Sequence, residues 1–422
     1  MSGGLRTPLA GFLCLFGFFL HILLSDPLLA TLGIHYTGEE GGFYEKVHPG
    51  SWFIFFSFAI FMLHDFNPFR QCYLIARDQM AFTALLIVTI LMFAYVVLRS
   101  GAGGSAFLLD THLTVPICAI VLCYTPPAYC QRALLLFIAV ATINSSIGIA
   151  EAMGKFRLFT FDANWVVYKE QFFRASALRG HPLNNAMFTS IALFVLLARK
   201  FHPLVTVPLA MLLVVSLVAF GGRAALAYTM MALVLYAAHA LWRWVGTHRL
   251  STVQWINLAM LVIVAIGVSF GMIYLLIESE MGERIAAHGF WDKSADSRGL
   301  AVLVFDYMKP AEIWFGISAD AIIAIVARMN QMVPIADIEN PWLLMFMWLG
   351  AIMFPVWLAA TVFFVRALLR HQHFATQLAV WAYYAIASTS NSFGRKDSTY
   401  LIMVCAVMCL KRWRRETQLE HS

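Results

Sequence analysis

Arg223 follows a Gly221-Gly222 pair and stands between two apolar runs, 205–220 and 224–241. A guanidinium beside glycine-exposed backbone N–H groups suits a phosphate, while the plainer reading is a helix turn whose arginine snorkels to lipid headgroups. A second constellation is Arg179-Gly180-His181-Pro182, with Asn184 and Asn185 behind it and Arg174 upstream. Gly-His-Pro builds turns and caps on its own. The bases among these residues would nevertheless meet Arg223 if both segments open on one side of a helical bundle.

Two further groups belong to the long polar interval 278–340. Arg298 heads an expected helix, where a lone cation opposes the helix dipole and gains from a partner or ligand. At the other end, Asp337-Ile338-Glu339-Asn340-Pro341-Trp342 opens an apolar run. Asp337, Glu339 and Asn340 before a proline make good N-capping chemistry. A carboxylate held there against apolar neighbours could equally have a raised pKa and serve as a general base. No GxSxG nucleophile, HExxH zinc site or DxD-like acidic metal motif is present, so neither cofactor nor metal is expected.

The elements that must position these residues are membrane helices. Of 422 residues, 61% are hydrophobic and 12% charged, and the mean hydropathy is +0.76. A soluble domain carries roughly a quarter charged residues. An all-α, polytopic integral membrane bundle is therefore expected, as one transmembrane domain over 1–422. About twelve runs are long enough to cross or nearly cross a bilayer: 9–25, 50–64, 79–98, 106–123, 132–149, 185–199, 203–220, 224–242, 255–277, 341–365, 375–391 and 397–410. Their interiors look nearly free of charge. The first is read as a retained helix rather than a cleaved signal. The seven cysteines avoid the long polar loops, so no disulfide is called for.

The net charge of +6 reads as a topology signal rather than a nucleic-acid surface. With both termini cytoplasmic, fourteen bases, among them Arg132, Arg199, Lys411, Arg412 and Arg414, face four acids on that side, and the other fifteen bases accompany nineteen acids. Three regions are then exported. The first, 26–50, reads as a plain connection. The second, 151–185, alternates bases with aromatic residues and is expected to lie at headgroup depth. The third, 278–340, is too long to lack structure. Helices are expected at 298–308, with Leu300, Leu303, Val304 and Tyr307 inward, and from Ser318 or Asp320 to Met329, with Ile322, Ile323, Ile325 and Val326 inward. Together 151–185 and 278–340 form the expected active-site cap.

The order of these features resembles the O-antigen ligase and Wzy-type O-antigen polymerase superfamily of bacterial inner membranes. The resemblance runs over about residues 170–365. It rests on Arg179-Gly180-His181-Pro182-Leu183-Asn184, Gly222-Arg223-Ala224, Ser297-Arg298-Gly299, and Glu339-Asn340-Pro341-Trp342-Leu343 followed by Trp348-Leu349-Gly350. The sequence departs from the family at Glu339, where a histidine usually precedes the asparagine. The base that activates the acceptor would then be Glu339 or Asp337, or else His181 or His288 reaching in.

The resemblance implies glycosyl transfer at the periplasmic face, from an undecaprenyl-diphosphate-linked oligosaccharide to a saccharide or lipid-linked saccharide acceptor. Arg223 and Arg298 would neutralise the diphosphate leaving group and Arg179 would help position it, an electrostatic role that needs no metal. Arg174, His181, Asn340 and His288 complete the expected substrate-binding set. Polysaccharide polymerase is the leading reading, lipid A-core O-antigen ligase its alternative within the class, and a polysaccharide-related transporter the alternative outside it. A transporter would carry ionisable groups inside its spans.

Overall fold

The computed structural model describes residues 6–37, 41–63, 67–158, 173–199, 201–247, 299–332, 338–390 and 392–419. Asp337, Arg298 and His288 lie outside them, as does the expected span 255–277. Among the described residues the chain is helical and contains no strand. Eleven of the expected spans coincide with helices: α1 (Arg6–Leu23), α3 (Pro49–Met62), α5 (Met80–Phe107), α6 (Thr114–Tyr124), α7 (Pro127–Gly154), α8 (Pro182–Arg199), α9 (Pro203–Ala219), α10 (Arg223–Thr247), α13 (Pro341–Leu369), α14 (Phe374–Ala387) and α15 (Thr399–Leu419), with α2 (Asp26–Thr31) and α4 (Pro68–Asp78) in the connections between them.

Among the described residues, six segments are long and apolar enough to cross a membrane: Met80–Gly101, Gly104–Tyr124, Pro127–Gly154, Pro182–Arg199, Arg223–Val245 and Pro341–Leu369. Shorter apolar helices, Thr7–Leu23, Pro49–Met62 and Pro203–Ala219, pack among them. Leu98, Leu204 and Val234 are exposed on the outside of the bundle, where a bilayer rather than water is the compatible solvent.

Glycines mark the places where this pattern bends or tightens. Gly17 of α1 meets Gly50 of α3 so closely that a methyl group on Gly17 would lie 2.5 Å from Gly50 O, and Ser57 Oγ donates to Ala10 O at 2.8 Å. Small residues give membrane helices this approach. At Gly101 (φ 71°, ψ 174°) α5 is interrupted by a kink. At Gly350 (φ 67°, ψ 176°) α13 breaks as well.

Helix α15, one of the shortest expected spans, is the buried axis of the bundle. Its residues from Leu401 to Leu410 are almost wholly buried against α6, α7 and α8, with α1 also in contact. Its C-terminal end carries cations that satisfy neighbouring helix-end carbonyls: Lys411 Nζ donates to Ala367 O at 2.8 Å, Arg412 Nε to Thr125 O at 2.9 Å and Arg414 to Ala198 O at 2.5 Å. Cations suit helix C-termini electrostatically, and these belong to the set that charge counting put on one face.

In the interval 278–340 the first expected helix is a 3₁₀ segment, Ala301–Tyr307, with Ala301 and Val304 buried but Leu303 exposed. A 3.0-residue repeat turns a different set of residues inward than an α-helix does. A short helix not expected from the sequence, α11 (Pro310–Phe315), follows. The second expected helix is α12 (Ala319–Met332). It buries Ile322, Ile325 and Met329, while Ile323 is exposed.

Candidate functional site

The loop between α7 and α8 is held by side chains from the helices on either side. Glu151, fully buried near the end of α7, accepts N–H groups from Leu158 (2.7 Å), Ser176 (2.8 Å) and Ala177 (2.9 Å). Asn144 Oδ1 accepts Leu178 N at 3.1 Å, and Asn185 Nδ2 donates to Ser176 O and His181 O. Ala177 is thereby kept at φ 39°, a left-handed conformation unusual for alanine. The loop in turn docks on the α9–α10 turn, with Ala175 N donating to Ala219 O at 3.0 Å.

This docking lays Arg174 on the turn that precedes Arg223. Gly221 has φ +64°, and a methyl group there would lie 2.8 Å from Arg174 Cγ, so the arginine stem lies across the turn that delivers Arg223 to the first position of α10. Two more cations join from the other side of the loop: Lys155 and Arg157 stand 5.7 and 5.2 Å from the Phe173 ring centroid, and Arg157 donates to Arg174 O at 3.4 Å. Glu151, on the same loop's anchoring helix, is engaged by the three backbone N–H groups. The result is a basic patch in which Lys155 and Arg157 share the Phe173 ring and Arg174 and Arg223 flank the Gly221 turn.

Arg179 goes elsewhere. Gly180 (φ +68°) packs directly on Pro27, and a methyl group there would lie 2.5 Å from Pro27 Cγ. The turn thus presses Arg179 towards the first connection, where it donates to Ser398 Oγ at 2.9 Å and to His21 O at 3.5 Å and lies 5.6 Å from the Phe188 ring. Burial lowers its pKa, with Asp397 and Asp26 opposing the shift. His181 adopts the capping role: its Nδ1 accepts Leu183 N at 3.2 Å. Asn340 caps α13, its Oδ1 accepting Trp342 N and Leu343 N, both at 3.1 Å, and Glu339 stands half-buried just before it.

The residues around Arg179 form a polar cluster that the sequence reading passed over. Six-residue π-helical segment Leu108–Leu113 joins α5 to α6 and carries Asp110 and His112, both buried. Asp110 accepts Ser51 Oγ at 2.6 Å, Tyr36 Oη at 2.9 Å and His48 N at 3.0 Å. The expectation that span interiors are nearly free of charge is corrected here, because Asp110 and His112 fall inside Gly104–Tyr124. The expectation that 26–50 is a plain connection is corrected too. Tyr36 and His48 are buried parts of this network.

The histidine tautomers follow from the partners. His48 Nδ1 accepts Gly50 N at 3.0 Å, so its Nε2 carries the hydrogen and donates to Leu24 O at 2.9 Å. Burial foremost lowers the His48 pKa to about 4, which keeps the ring neutral. It stacks on His21 at 3.9 Å between centroids. Ser51 donates to Asp110, so the His21 Nε2 contact with Ser51 Oγ at 3.0 Å is a donation by His21.

The connection before α15 completes the cluster. Lys396 Nζ donates to Tyr36 O at 2.5 Å and lies 4.2 Å from the Tyr36 ring centroid. Burial lowers its pKa to about 8 against the pull of Asp110 and Asp26. Asp397 Oδ1 caps α15 by accepting Thr399 N at 2.8 Å and Thr399 Oγ1 at 2.5 Å. Asp26 keeps open surface as a residue. Its carboxyl is nevertheless so surrounded by protein that burial raises it to about 6, against Lys396 and Arg179 and with help from Asp397 and Asp110.

A third junction fixes the polar interval to the bundle. Arg99 at the end of α5 donates to Phe315 O, to Ile317 O at 2.6 Å and to Trp348 O at 3.2 Å, and Tyr95 Oη donates to Phe315 O at 2.5 Å. Among the described residues no group of three or more His, Cys, Asp or Glu side chains is placed to hold a metal ion. No protein-family model matches the chain, and no curated protein matches it.

Proposed function

We propose that this protein is a glycosyltransferase of polysaccharide biosynthesis, moving an undecaprenyl-diphosphate-linked saccharide onto a saccharide acceptor at the periplasmic face of the bacterial inner membrane. Polymerisation is the leading reading, and ligation to a lipid A core is its alternative. The observation that carries the proposal is the convergence of Arg174 and Arg223 from separate loops, with Lys155 and Arg157 beside them. Clustered cations at the end of an apolar bundle match a lipid diphosphate, whose charge grows as the sugar leaves. In this reading twelve spans place both termini in the cytoplasm, Arg298 joins Arg223 on the diphosphate, and Glu339 or Asp337 takes the acceptor proton.

A transporter reading draws support from one specific observation, the buried Asp110 with its histidine and tyrosine partners inside a span, since intramembrane ionisable groups often line transport paths. Asp110 is bonded to three partners rather than turned to an open passage, which favours the enzyme.

In cells that make the polymer, Arg223→Ala and Arg298→Ala should each abolish chain growth while the protein stays inserted and abundant. Glu339→Gln should be more damaging than Asp337→Asn. Wild-type polymer in both arginine variants would sink the diphosphate assignment, and equal, mild effects of the carboxylate changes would move the base to a histidine.

A further inference from the structure

The basic patch and the cluster around Asp26 differ in charge balance, and the difference separates two ligands. Asp26 lies within electrostatic range of Lys396, Arg179, Asp397 and Asp110, and Lys46 lies within range of Lys396, so three cations meet three carboxylates, while His48 is neutral. A diphosphate would gain no net attraction there. A cation held by carboxylates alone would be repelled by Arg179 and Lys396.

The cluster also has unused hydrogen-bonding capacity. Arg179, Asp397 and His21 are 7%, 5% and 3% exposed, yet Arg179 Nε, Asp397 Oδ2 and His21 Nδ1 have no hydrogen-bond partner. Buried polar atoms are nearly always satisfied, and one left bare costs about 1–3 kcal/mol. Arg179 and Asp397 do not close on each other as an ion pair. Their free atoms, with the carboxyl of Asp26 and the ammonium of Lys396 at the rim, offer donors and acceptors in near balance.

We propose that Asp26, Lys396, Arg179 and Asp397 form a saccharide-binding subsite, distinct from the basic patch of Arg174 and Arg223. A sugar presents neighbouring hydroxyls that each donate and accept. They satisfy Asp26 and Asp397 Oδ2 as donors, and Lys396 and Arg179 Nε as acceptors. Calling this sugar the acceptor rests on the glycosyl-transfer reading; the subsite itself does not. Arg179 thereby leaves the diphosphate-binding set expected from the sequence.

The test is saturation-transfer NMR on the purified full-length protein in nanodiscs with maltotetraose, cellotetraose and chitotetraose as probes. Wild-type protein should bind at least one of them, Asp26→Asn and Lys396→Gln should each weaken it tenfold or more, and inorganic pyrophosphate should not displace it. Both substitutions are at the rim and leave the apolar core unchanged, and either alone suffices. No binding of any probe, unchanged affinity in the variants, or displacement by pyrophosphate would overturn the proposal. Intact sugar binding in a protein that transfers nothing would overturn the transferase reading and leave the subsite standing.

Discussion

Two carboxylates, Asp26 and Asp110, show how differently one residue type is used within a single cluster. Asp110 is saturated by Ser51, Tyr36 and His48 and ties the first connection to the π-helical segment. Asp26 is at the rim, and its carboxyl titrates at about 6, while Lys396 titrates at about 8. A pH dependence follows. Below roughly pH 6 Asp26 gains a proton and stops accepting two hydroxyl hydrogens; above roughly pH 8 Lys396 loses its charge. Saccharide affinity should therefore be flat between these values and fall on both sides, and Asp26→Asn should erase the acid limb alone. The neighbours that set this window are Arg179, Asp397, Asp110 and Lys46, with His48 titrating well below it at about 4. A single-limbed or flat profile in binding titrations across the range would contradict the assignment. The capping roles of Asn340 and His181 were readable from adjacent Pro and Asn residues, but Asp110 was not. It sits in an apolar run whose average hides one charge, and its partners are distant in sequence.

At the scale of elements, loops are positioned by side chains from helix ends. Glu151 is the clearest case, since three backbone N–H groups of the 155–178 segment converge on one carboxylate. A hydrogen bond to a charged group contributes about 1.5–3 kcal/mol. Glu151→Gln keeps one carbonyl oxygen and turns the other position into a donor facing N–H groups. It should lower the melting temperature of the detergent-purified protein and release the loop, read as faster hydrogen exchange at Ser176 and Ala177; unchanged exchange at those amides would refute the strapping role. Helix positions were legible because apolar runs of bilayer length have few alternatives. The 3₁₀ form of Ala301–Tyr307 was not. Its stripe resembles that of an α-helix over so few residues, and the choice is made by packing. The breaks at Gly101 and Gly350 escaped for a related reason: a glycine in an apolar run signals a possible turn, whereas a φ of 71° or 67° is not written in the run itself. At Gly350 it accompanies a close approach to the backbone of Trp314, Phe315 and Gly316.

For the whole molecule, apolar helices enclose α15, and polar connections are tied together through Arg179 and Lys396 and, at a separate junction, through Arg99, while Lys411, Arg412 and Arg414 hold helix ends elsewhere along α15 and its neighbours. We assign Arg174 and Arg223 to a diphosphate and the near-neutral cluster around Arg179 to a sugar, Arg174 and Arg179 standing on the same strapped loop. The proposed reaction is transfer between the two. The most direct measurement is to incubate the purified protein with an undecaprenyl-diphosphate-linked oligosaccharide and resolve the lipid-linked products by length. The expected result is longer saccharides on the lipid with release of undecaprenyl diphosphate, lost in Arg223→Ala. Donor recovered unchanged, with no transfer to a second repeat or to a lipid A core, would contradict it.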